Sequence, residues 1–366
     1  MSGKPEYKIP SMKEIQNIKW NGFNVVSTFS GGGGSCLGYE MAGYRVLWAN
    51  EFVPEAQNTY RLNHPSTYLD TRDIREVTGE SILQQIKLKK GEIDLFDGSP
   101  PCCAFSTAGS KEKGWGQIRK YSDTKQRVDD LFFEYSRLIK ELQPKTFIAE
   151  NVSGLVKGKA KGYFKLILKS LEDCGYEVSA RLLNSQWLGV PQKRERIIFC
   201  GVRNDLVKKY DVHPKHPVPL PYYYVLKDVL KDVVNNKTEE LYLSEGAKKY
   251  SWYKVLQKIP RNPKKAISGS SVMNGSYFNL VRESMYQPCS TICQTNGGFS
   301  NAGNCHPLYD RKFTIEELKR ITSIPDDFIL TGDFEKQWER LGRMVPPVMM
   351  SYIAKTVQTE ILEKLK

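Results

Sequence analysis

A cysteine preceded by two prolines is the clearest candidate nucleophile in this sequence. It is Cys102 in the segment DGSPPCCAFS, which begins at Asp97, the last residue of an apolar run. The prolines predict a rigid turn at the end of a parallel strand, which favours an exposed, reactive thiolate over the buried, inert state usual for a lone cysteine. The polar stretch from Thr107 to Asp130 is too long for an ordinary connection and suits a loop that closes over a site.

Two charged segments could take part in the same chemistry. Glu150 lies near the end of the apolar run Thr146–Asn151, where a carboxylate with a raised pKa can hydrogen-bond a heterocycle and move a proton. In the segment QKRER, Arg194 and Arg196 would project from one face of a strand towards an anionic or carbonyl-rich substrate. Taken alone, a carboxylate at a strand end is more often structural, and a charge run is more often a solvated surface.

A glycine-rich turn between a strand and a helix predicts a ligand site. The segment FSGGGGS at Phe29–Ser35 would let a ligand approach the backbone amides at the start of the helix. Glu51 lies twenty residues after Gly31, where a carboxylate can accept hydrogen bonds from both hydroxyls of a ribose. A GxGxxG register would need glycine at Cys36 or Leu37, so a nucleoside without a pyrophosphate fits better than the cofactor of a nicotinamide oxidoreductase.

The elements that must position these residues alternate along the first 200 residues. Strand and helix patterns follow one another, which predicts a doubly wound α/β fold with a mostly parallel sheet. The predicted strands are Phe23–Phe29, Tyr44–Asn50, Ile93–Asp97, Thr146–Asn151, Glu177–Leu183 and Arg196–Val202. The predicted helices are Ser35–Met41, Leu131–Leu142, Tyr163–Cys174 and Ser351–Leu365.

Composition narrows the class of protein. The chain has 366 residues, 40% of them hydrophobic, and 54 Lys and Arg against 41 Asp and Glu give a net charge of +13. A basic chain suits a polyanionic partner, most often nucleic acid. No apolar run reaches the roughly 18 residues of a membrane span, and the first residues lack the apolar stretch of a signal peptide, so we expect neither a membrane nor a secreted protein.

The eight cysteines predict free thiols in a reducing compartment, because the sequence has no CxxC pair and is not disulfide-dense. We therefore expect no metal site. A site built from Cys289, Cys293, Cys305 and His306 is the less favoured alternative.

The composition and the hydrophobic pattern of the sequence change near Arg203. Residues 205–312 contain proline clusters and Gly/Ser/Asn loops without a clear period, and they carry 16 Lys and Arg against 9 Asp and Glu. We expect a separate, smaller, basic domain here. The predicted boundaries are 1–204 plus 341–366 for the large domain and 205–340 for the small domain with its hinge.

These segments, in this order, resemble the motifs of the DNA cytosine-5 methyltransferases. The matching segments are FSGGGGSCLG, Asn50-Glu51, Asp73-Ile74, GSPPCCAFS, Glu150-Asn151-Val152, VPQKRER, PLYDRKFTIEELKRITSIPDDF and LGRMVPPVMM. One match would be weak, but eight in order are specific. The resemblance covers about residues 24–202 and 307–357, and it implies a sheet of the class I SAM-dependent methyltransferase type with a smaller basic target-recognition domain.

The resemblance also implies roles for individual residues. S-adenosylmethionine would lie against Phe29, Gly31, Gly33, Gly34, Glu51, Asp73, Ile74, Pro101, Leu131 and Val345. Cys102 would be the nucleophile, with Glu150 and Arg196 on the substrate base and Arg194 orienting the site and the phosphates. The implied reaction is methyl transfer to carbon 5 of a cytosine in a specific double-stranded DNA sequence, by base flipping and addition of Cys102 to carbon 6.

Three positions depart from the family pattern. Cys103 stands where glutamine is usual, which puts one hydrogen bond of the base pocket in doubt. Arg343 replaces the usual asparagine of the tenth motif, which leaves a cofactor contact uncertain. Glu316 replaces the usual arginine of the ninth motif, which puts the scaffold of the small domain in doubt.

Two other functions remain as alternatives. A tRNA cytosine-5 methyltransferase would use the same pocket, but the Cys-Phe-Thr segment usual for that branch is absent. A catalytically dead relative that only binds DNA is disfavoured by the intact Cys102, Glu150 and Arg196.

The expected partner is double-stranded DNA, and a restriction endonuclease acting on the same site would not form a stable complex with the chain. We expect a monomer in the cytoplasm of a prokaryotic cell or a phage-infected host. Base readout is expected from residues 215–300, including the glycine-rich loop Gln294–Asn304.

Overall fold

The computed structural model of the chain describes residues 3–101, 119–121, 124–126, 130–156 and 161–366, with only the backbone for 119–121 and 124–126. The chain packs as two compact units. The sheet unit comprises Asn17–Leu183, Glu195–Val218 and Met350–Lys366. The small unit comprises Met1–Gln16, Asn184–Arg194 and Pro219–Met349. The boundaries of the functional domains, 1–204 plus 341–366 and 205–340, stay predictions.

Strands and helices alternate through the sheet unit, whereas the small unit combines helices and loops with three two-residue strands. The strands are β1 Asn24–Thr28, β2 Arg45–Asn50, β3 Tyr68–Asp70, β4 Leu95–Gly98, β5 Arg119–Tyr121, β6 Thr124–Gln126, β7 Thr146–Val152, β8 Tyr176–Asn184, β9 Glu195–Arg203, β10 Ile267–Ser268, β11 Val281–Arg282 and β12 Asn304–Cys305. The helices are α1 Met12–Gln16, α2 Gly34–Met41, α3 Pro54–Asn63, α4 Gly79–Ile86, α5 Leu131–Leu142, α6 Lys161–Glu172, α7 Asn204–Tyr210, α8 Leu226–Val229, α9 Lys237–Ala247, α10 Ser251–Lys258, α11 Ile315–Ile321, α12 Phe334–Arg343 and α13 Pro347–Glu360.

One mostly parallel sheet organises the sheet unit, as the sequence predicts. Its strand order is β3-β2-β1-β4-β7-β9-β8. Strands β3, β2, β1, β4 and β7 pair in parallel, whereas β9 runs antiparallel to β7. Parallel strands end at the same edge of a sheet, which is where ligands bind in open α/β folds. The residues that follow these five strands therefore share one edge.

The predicted strands and helices of the sheet unit are confirmed, with ends shifted by one to a few residues. Helix α5 shows why the pattern was readable, because the apolar residues that recur every three or four positions are buried, whereas Phe133 lies off this face and is exposed. Six helices and strands described in this unit were not predicted: α3, α4, α7 and the three-residue strands β3, β5 and β6. The predicted helix Ser351–Leu365 differs in its bounds, since α13 begins at Pro347 and ends at Glu360, and a 3-10 turn Leu362–Leu365 follows.

Aromatic rings fill the space between the sheet and its helices. Phe147 on β7 and Phe199 on β9 are fully buried, and Phe199 contacts Phe132 of α5 at a ring-centroid distance of 5.7 Å. Gly201 pairs with Phe147 across the two strands. A Cβ atom on Gly201 would lie 2.0 Å from the ring of Phe147, so the ring occupies the space that any other residue would need.

The small unit holds a short three-stranded sheet and a cluster of buried charges. Its sheet has the order β10-β11-β12, and β11 runs parallel to β12. Arg311 is 2% exposed and donates to both carboxylate oxygens of Glu317, at 2.8 and 2.9 Å. Glu317 also completes the capping box that Thr314 forms at the start of α11. Buried ion pairs of this kind fix the ends of helices because both partners are satisfied.

Within the described ranges, no helix has the combination of length and hydropathy that a membrane crossing requires.

Replacing Gly201 by alanine tests the packing of the sheet. We expect Gly201→Ala to lower the free energy of unfolding by about 1–3 kcal/mol, because the new methyl group overpacks the site against Phe147. Gly162→Ala in α6 is the matched control, since nothing lies within 4 Å of its added Cβ. Urea denaturation monitored by circular dichroism should show a lower midpoint for Gly201→Ala alone, and equal midpoints would contradict this packing.

Candidate active site

The glycine-rich turn after β1 adopts the conformation that a close ligand approach requires. Phe29, Gly31 and Gly33 all have positive φ angles, of 54°, 57° and 96°. Only glycine adopts such angles readily, and Gly33 caps the start of α2 in the left-handed conformation. Nothing lies within 4 Å of a Cβ atom built on Gly31, and Gly34 begins the helix. The turn therefore leaves open space beside Gly31, whereas His64 fills the space beside Gly33.

Glu51, at the end of β2, is held against this turn by backbone amides. Gly31 N–H donates to Oε2 at 2.7 Å, and Val53 N–H donates to Oε1 at 2.7 Å. The residue is 8% exposed. Each oxygen of an ionised carboxylate can accept more than one hydrogen bond, so a carboxylate fixed in this way can also receive the hydroxyl groups of a ligand.

Asp73 and Ile74 lie just beyond β3, at the start of a 3-10 turn. The Asp73 carboxylate caps this turn by accepting from Arg75 N–H at 3.0 Å, and it also accepts from the Arg75 guanidinium. Arg75 in turn bridges to Asp130, immediately before Leu131 begins α5. Ile74 is 3% exposed and packs in the core, so its backbone and not its side chain could meet a ligand.

Strand β4 leads into the predicted nucleophile segment. Cys102 and Cys103 lie outside the described residues, as does most of the Thr107–Asp130 stretch predicted to close over the site. The chain is described up to Pro101, which is half-buried. Asn151 at the end of β7 donates from Nδ2 to the carbonyl oxygen of Pro100 at 3.1 Å. This bond ties the residues that enter the nucleophile segment to the strand that carries Glu150.

Glu150 and Arg196 form an ion pair at the same end of the sheet. The Arg196 Nε lies 2.6 Å from Oε1 of Glu150, and their side chains are 14% and 11% exposed. The antiparallel register of β7 and β9 places Arg196 opposite Val152, two residues beyond Glu150. A carboxylate held by a guanidinium in a mostly buried setting is oriented and still accessible, which suits contact with a substrate.

Arg194 is positioned differently from the expectation. Strand β9 begins at Glu195, so Arg194 lies one residue before the strand that carries Arg196. Its guanidinium is 2% exposed and donates to the carbonyl oxygens of Ile292, Gly342 and Arg343 within the small unit. This burial favours a role in holding the loops of the small unit over direct contact with phosphates.

The other residues singled out in the tenth and ninth motifs also lie in the small unit. Val345 is 5% exposed. Arg343 donates from Nε to Glu339 at 2.9 Å. Glu316 lies in the first turn of α11 and forms an ion pair with Lys319 at 3.1 Å. An acidic residue in the first turn of a helix is favourable, so Glu316 is stabilising where it lies.

The cysteines that could have formed a metal site are free thiols. Cys289, Cys293 and Cys305 make no disulfide, and burial raises the pKa of Cys289 and raises that of Cys305 to about 12. Across the described part of the chain, no group of three or more His, Cys, Asp or Glu residues could hold a metal ion.

Asp97 is a buried carboxyl group that the sequence reading did not single out as a functional residue. It is 1% exposed, and it accepts hydrogen bonds from Ser27 Oγ at 2.8 Å and from Tyr39 Oη at 2.9 Å. Burial, with a smaller contribution from Glu150, raises its pKa to about 7. Asp97 thus fastens the end of β4 to β1 and to helix α2. The available sequence signal was an acidic residue at the end of a short apolar run, since a buried strand must supply hydrogen-bond partners to its carboxyl group.

A comparison with protein families matches residues 23–359 to the family described as C-5 cytosine-specific DNA methylase. The match covers most of both units.

Individual relatives extend over nearly the whole chain. The chain is 35% identical over 361 residues to the Type II methyltransferase M.Sau96I of Staphylococcus aureus, which covers 96% of this chain and 80% of that protein. It is 28% identical over 375 residues to the Type II methyltransferase M.NgoPII of Neisseria gonorrhoeae, covering 95% and 98%. Among solved structures, a mutant of Spodoptera frugiperda DNMT2 is similar with a TM-score of 0.64 and 17% identity, covering 94% and 99% of the two chains, which supports the fold alone.

The raised pKa of Asp97 predicts how stability depends on pH. The folded protein binds this proton more tightly than the unfolded chain, so the stabilising contribution is complete at low pH and is lost as pH rises from about 4 towards about 7. Asp97→Asn keeps a neutral side chain at every pH. We expect the urea midpoint of the variant to rise relative to that of the wild type between about pH 4 and about pH 7.

Asp205→Asn is the matched control, because Arg203 lowers the pKa of Asp205 and leaves nothing to titrate in this range. A difference between wild type and Asp97→Asn that stays constant with pH would show that Asp97 does not titrate there.

Proposed function

Because the chain belongs to the C-5 cytosine-specific DNA methylase family, and is thus a DNA (cytosine-5-)-methyltransferase, we propose that it transfers a methyl group from S-adenosylmethionine to carbon 5 of one cytosine in a specific double-stranded DNA sequence. The observation that carries this proposal is the Glu150–Arg196 ion pair, joined through Asn151 to the turn before Cys102. Glu51 and the glycine turn lie at the same sheet edge, at the ends of the neighbouring parallel strands.

The residues at the glycine turn fit S-adenosylmethionine. The open space beside Gly31 admits a ligand, and the carboxylate of Glu51 would accept hydrogen bonds from the ribose hydroxyls. The carboxylate of Asp73 and the backbone of Ile74 would meet the adenine edge. Phe29, Gly33, Gly34, Pro101, Leu131 and Val345 complete the proposed set. When bound, the cofactor supplies an electrophilic methyl group on a positively charged sulfur.

The chemistry of cytosine explains the nucleophile. Carbon 5 is a poor nucleophile and cannot be reached inside a stacked duplex, so the base must rotate out at a cost of roughly a few kcal/mol. The thiolate of Cys102 then adds to carbon 6. Glu150 donates a proton to ring nitrogen 3, and Arg196 keeps the Glu150 carboxyl group oriented, so that carbon 5 gains enamine character.

After methyl transfer, the carbon 5 proton passes to solvent, ring nitrogen 3 returns its proton to Glu150, and departure of the thiolate restores the aromatic ring. A free cysteine has a pKa of about 8.5 and is mostly protonated at neutral pH, so the reaction requires cations to favour the thiolate. Arg196 lies at the same sheet edge as the nucleophile segment and can serve this purpose. Arg194 acts indirectly, by holding the loops of the small unit.

The small unit would supply DNA contacts. Between Glu245 and Glu283 the sequence has eight Lys and Arg and no Asp or Glu, and Lys254, Lys264 and Lys265 in this stretch are exposed. Exposed cations bind phosphates and give affinity that depends on salt but not on sequence. A restriction endonuclease that acts on the same DNA sequence fits this proposal, without a stable complex between the two enzymes. The methyltransferase would act as a monomer in the cytoplasm of a prokaryotic or phage-infected cell.

A buried lysine organises the loop Gln294–Asn304, which we propose reads bases. The ammonium of Lys312 donates to the carbonyl oxygens of Asn296, Gly298 and Asn301, the last two at 2.8 Å. Lys312 is 1% exposed, and its ammonium lies over the rings of two tryptophans. Burial lowers the pKa of Lys312 to about 8. With these carbonyl groups turned inwards, the side chains of Gln294 and Thr295 remain exposed.

Covalent trapping tests the proposed nucleophile. A DNA duplex with 5-fluorocytosine at the modified position should form a complex with the wild-type protein that survives denaturing electrophoresis, and only when S-adenosylmethionine is present. Fluorine at carbon 5 cannot leave as a proton would, so the Cys102 adduct persists. Cys102→Ala should abolish both trapping and methyl transfer.

Cys103→Ala is the matched control, since it removes the neighbouring thiol and should leave trapping intact. Trapping that persists in Cys102→Ala, or that disappears only in Cys103→Ala, would refute the assignment.

Removal of the buried ammonium tests how the loop selects bases. Lys312→Met leaves carbonyl groups of the loop unpaired, so we expect discrimination between the methylated sequence and a single mismatch to fall about tenfold. The salt dependence of DNA binding should not change, because the lost charge is buried. Competition binding on the two duplexes at several salt concentrations measures both quantities.

Lys264→Met removes an exposed lysine and should behave in the opposite way, with weaker binding to all sequences and a salt slope reduced by about one. Unchanged discrimination in Lys312→Met would count against this role of the loop.

A further inference from the structure

A second loop of the small unit lies beside the loop Gln294–Asn304. Residues 269–280 connect the antiparallel strands β10 and β11, and β11 pairs in parallel with β12. Parallel strands begin at the same edge of a sheet, so the segments that precede β11 and β12 meet there. A hydrogen bond from Val281 N–H to the carbonyl oxygen of Gly303, at 3.1 Å, joins the ends of the two loops.

The backbone of this second loop is held in a defined shape. Gly269 N–H donates to the carbonyl oxygen of Leu280 at 2.8 Å, and Gly275 N–H donates to that of Ser270 at 3.1 Å. Leu280 is fully buried in the core of the small unit. Tyr277 has a φ angle of 59°, which is unfavourable for a bulky residue, and its hydroxyl group donates to Ser251 Oγ at 2.9 Å. A residue kept in such a conformation often belongs to a functional site.

This anchored loop presents an aromatic ring to solvent. Phe278 is 72% exposed, more than any other aromatic residue in the described part of the chain. Its backbone is anchored, because the preceding Tyr277 donates to Ser251 and the Phe278 carbonyl oxygen accepts from Ser268 Oγ at 3.2 Å. Leaving an apolar ring in water is unfavourable, and the two hydrogen bonds hold the backbone so that the ring stays at the surface. The exposure therefore indicates an external partner.

Charge identifies the chemistry of that partner. The loop lies inside the 37-residue stretch 246–282, which has eight Lys and Arg and no Asp or Glu. The ammonium of Lys258 approaches the sulfur of Met273 at 3.8 Å, so a cation lies at the loop itself. Asn274, Ser276 and Asn279 are exposed and can bond to base edges. An exposed ring among cations and amide side chains matches a nucleic acid, whose bases offer apolar faces between charged phosphates.

Resting on the proposed function, we propose that residues 269–280 form a second DNA-reading loop in which Phe278 packs its ring against a base of the duplex near the methylated cytosine. The loop Gln294–Asn304 supplies polar contacts, and Phe278 supplies an apolar one. Such a contact is sensitive to the shape and stacking of the bases but insensitive to salt, since it involves no charge.

The test begins with wild-type protein, because bisulfite sequencing of DNA from expressing cells gives the methylated sequence. Absence of any methylation would defeat the proposed function and not this inference alone. On a duplex with the methylated sequence, Phe278→Ala should weaken DNA binding about tenfold or more, with kcat/KM falling in parallel. The affinity for S-adenosylmethionine, the melting temperature and the salt slope should not change.

Two further variants separate stacking from a structural role. Phe278→Trp keeps an aromatic ring and should retain wild-type binding within about threefold. Tyr68→Ala removes a ring that is 50% exposed in the sheet unit and should leave DNA binding unchanged. Wild-type DNA binding by Phe278→Ala would overturn the proposal and point to a protein partner for the ring. Equal losses in Phe278→Ala and Phe278→Trp would overturn it as well.

A fluorescent base gives a direct signal of the contact. 2-Aminopurine placed in turn at positions around the modified cytosine should change its emission on binding wild-type protein at one or more positions where Phe278→Ala gives no change. Identical emission profiles for the two proteins would contradict the contact.

Discussion

The parallel pairing of β3, β2, β1, β4 and β7 is the constraint on which the proposed catalytic site depends. It brings Asp73, Glu51, the glycine turn, Pro101 and Glu150 to one edge, although they are separated by up to about 120 residues of sequence. The antiparallel strand β9 then adds Arg196 from the opposite direction, since its first residues lie against the last residues of β7. The ion pair between Glu150 and Arg196 exists because two strands of opposite direction meet at this edge.

Buried polar groups hold the segments that carry this chemistry. Asp97 fixes the end of β4 through Ser27 and Tyr39, and Lys312 fixes a loop of the small unit through three carbonyl groups. Removing a charge from water is costly unless hydrogen bonds replace the lost hydration. Asp97 and Lys312 both have such hydrogen bonds. Their pKa values are nevertheless shifted towards the neutral form, because burial still disfavours the charge. Each buried group holds one segment in a fixed conformation: Asp97 holds the end of β4, and Lys312 holds the loop Gln294–Asn304.

The sequence predicts the sheet unit well because its strands are short apolar runs and its helices, such as α5, repeat at helical spacing. It does not predict β3, whose three residues are too few for a pattern, or α3, where buried Gln57 and Asn63 break the apolar stripe. The two-residue spacing of Arg194 and Arg196 assumes a strand that begins at Arg194, one residue earlier than β9, and the burial of Arg194 among carbonyl groups of the small unit has no signal in that spacing. Lys312 and Phe278 could not be anticipated, since their roles depend on pairings between β10, β11 and β12 that follow no sequence period.

The proposed reaction is defined by the atom that receives the methyl group, which is carbon 5 of a cytosine in DNA. Duplex DNA incubated with the protein and S-adenosylmethionine bearing an isotopically labelled methyl group can be digested to nucleosides and analysed by mass spectrometry, with tRNA treated in parallel. The account predicts label in 5-methyl-2′-deoxycytidine from DNA and none in the tRNA nucleosides. Label on another atom of the base, label in tRNA alone, or no label in DNA would contradict it.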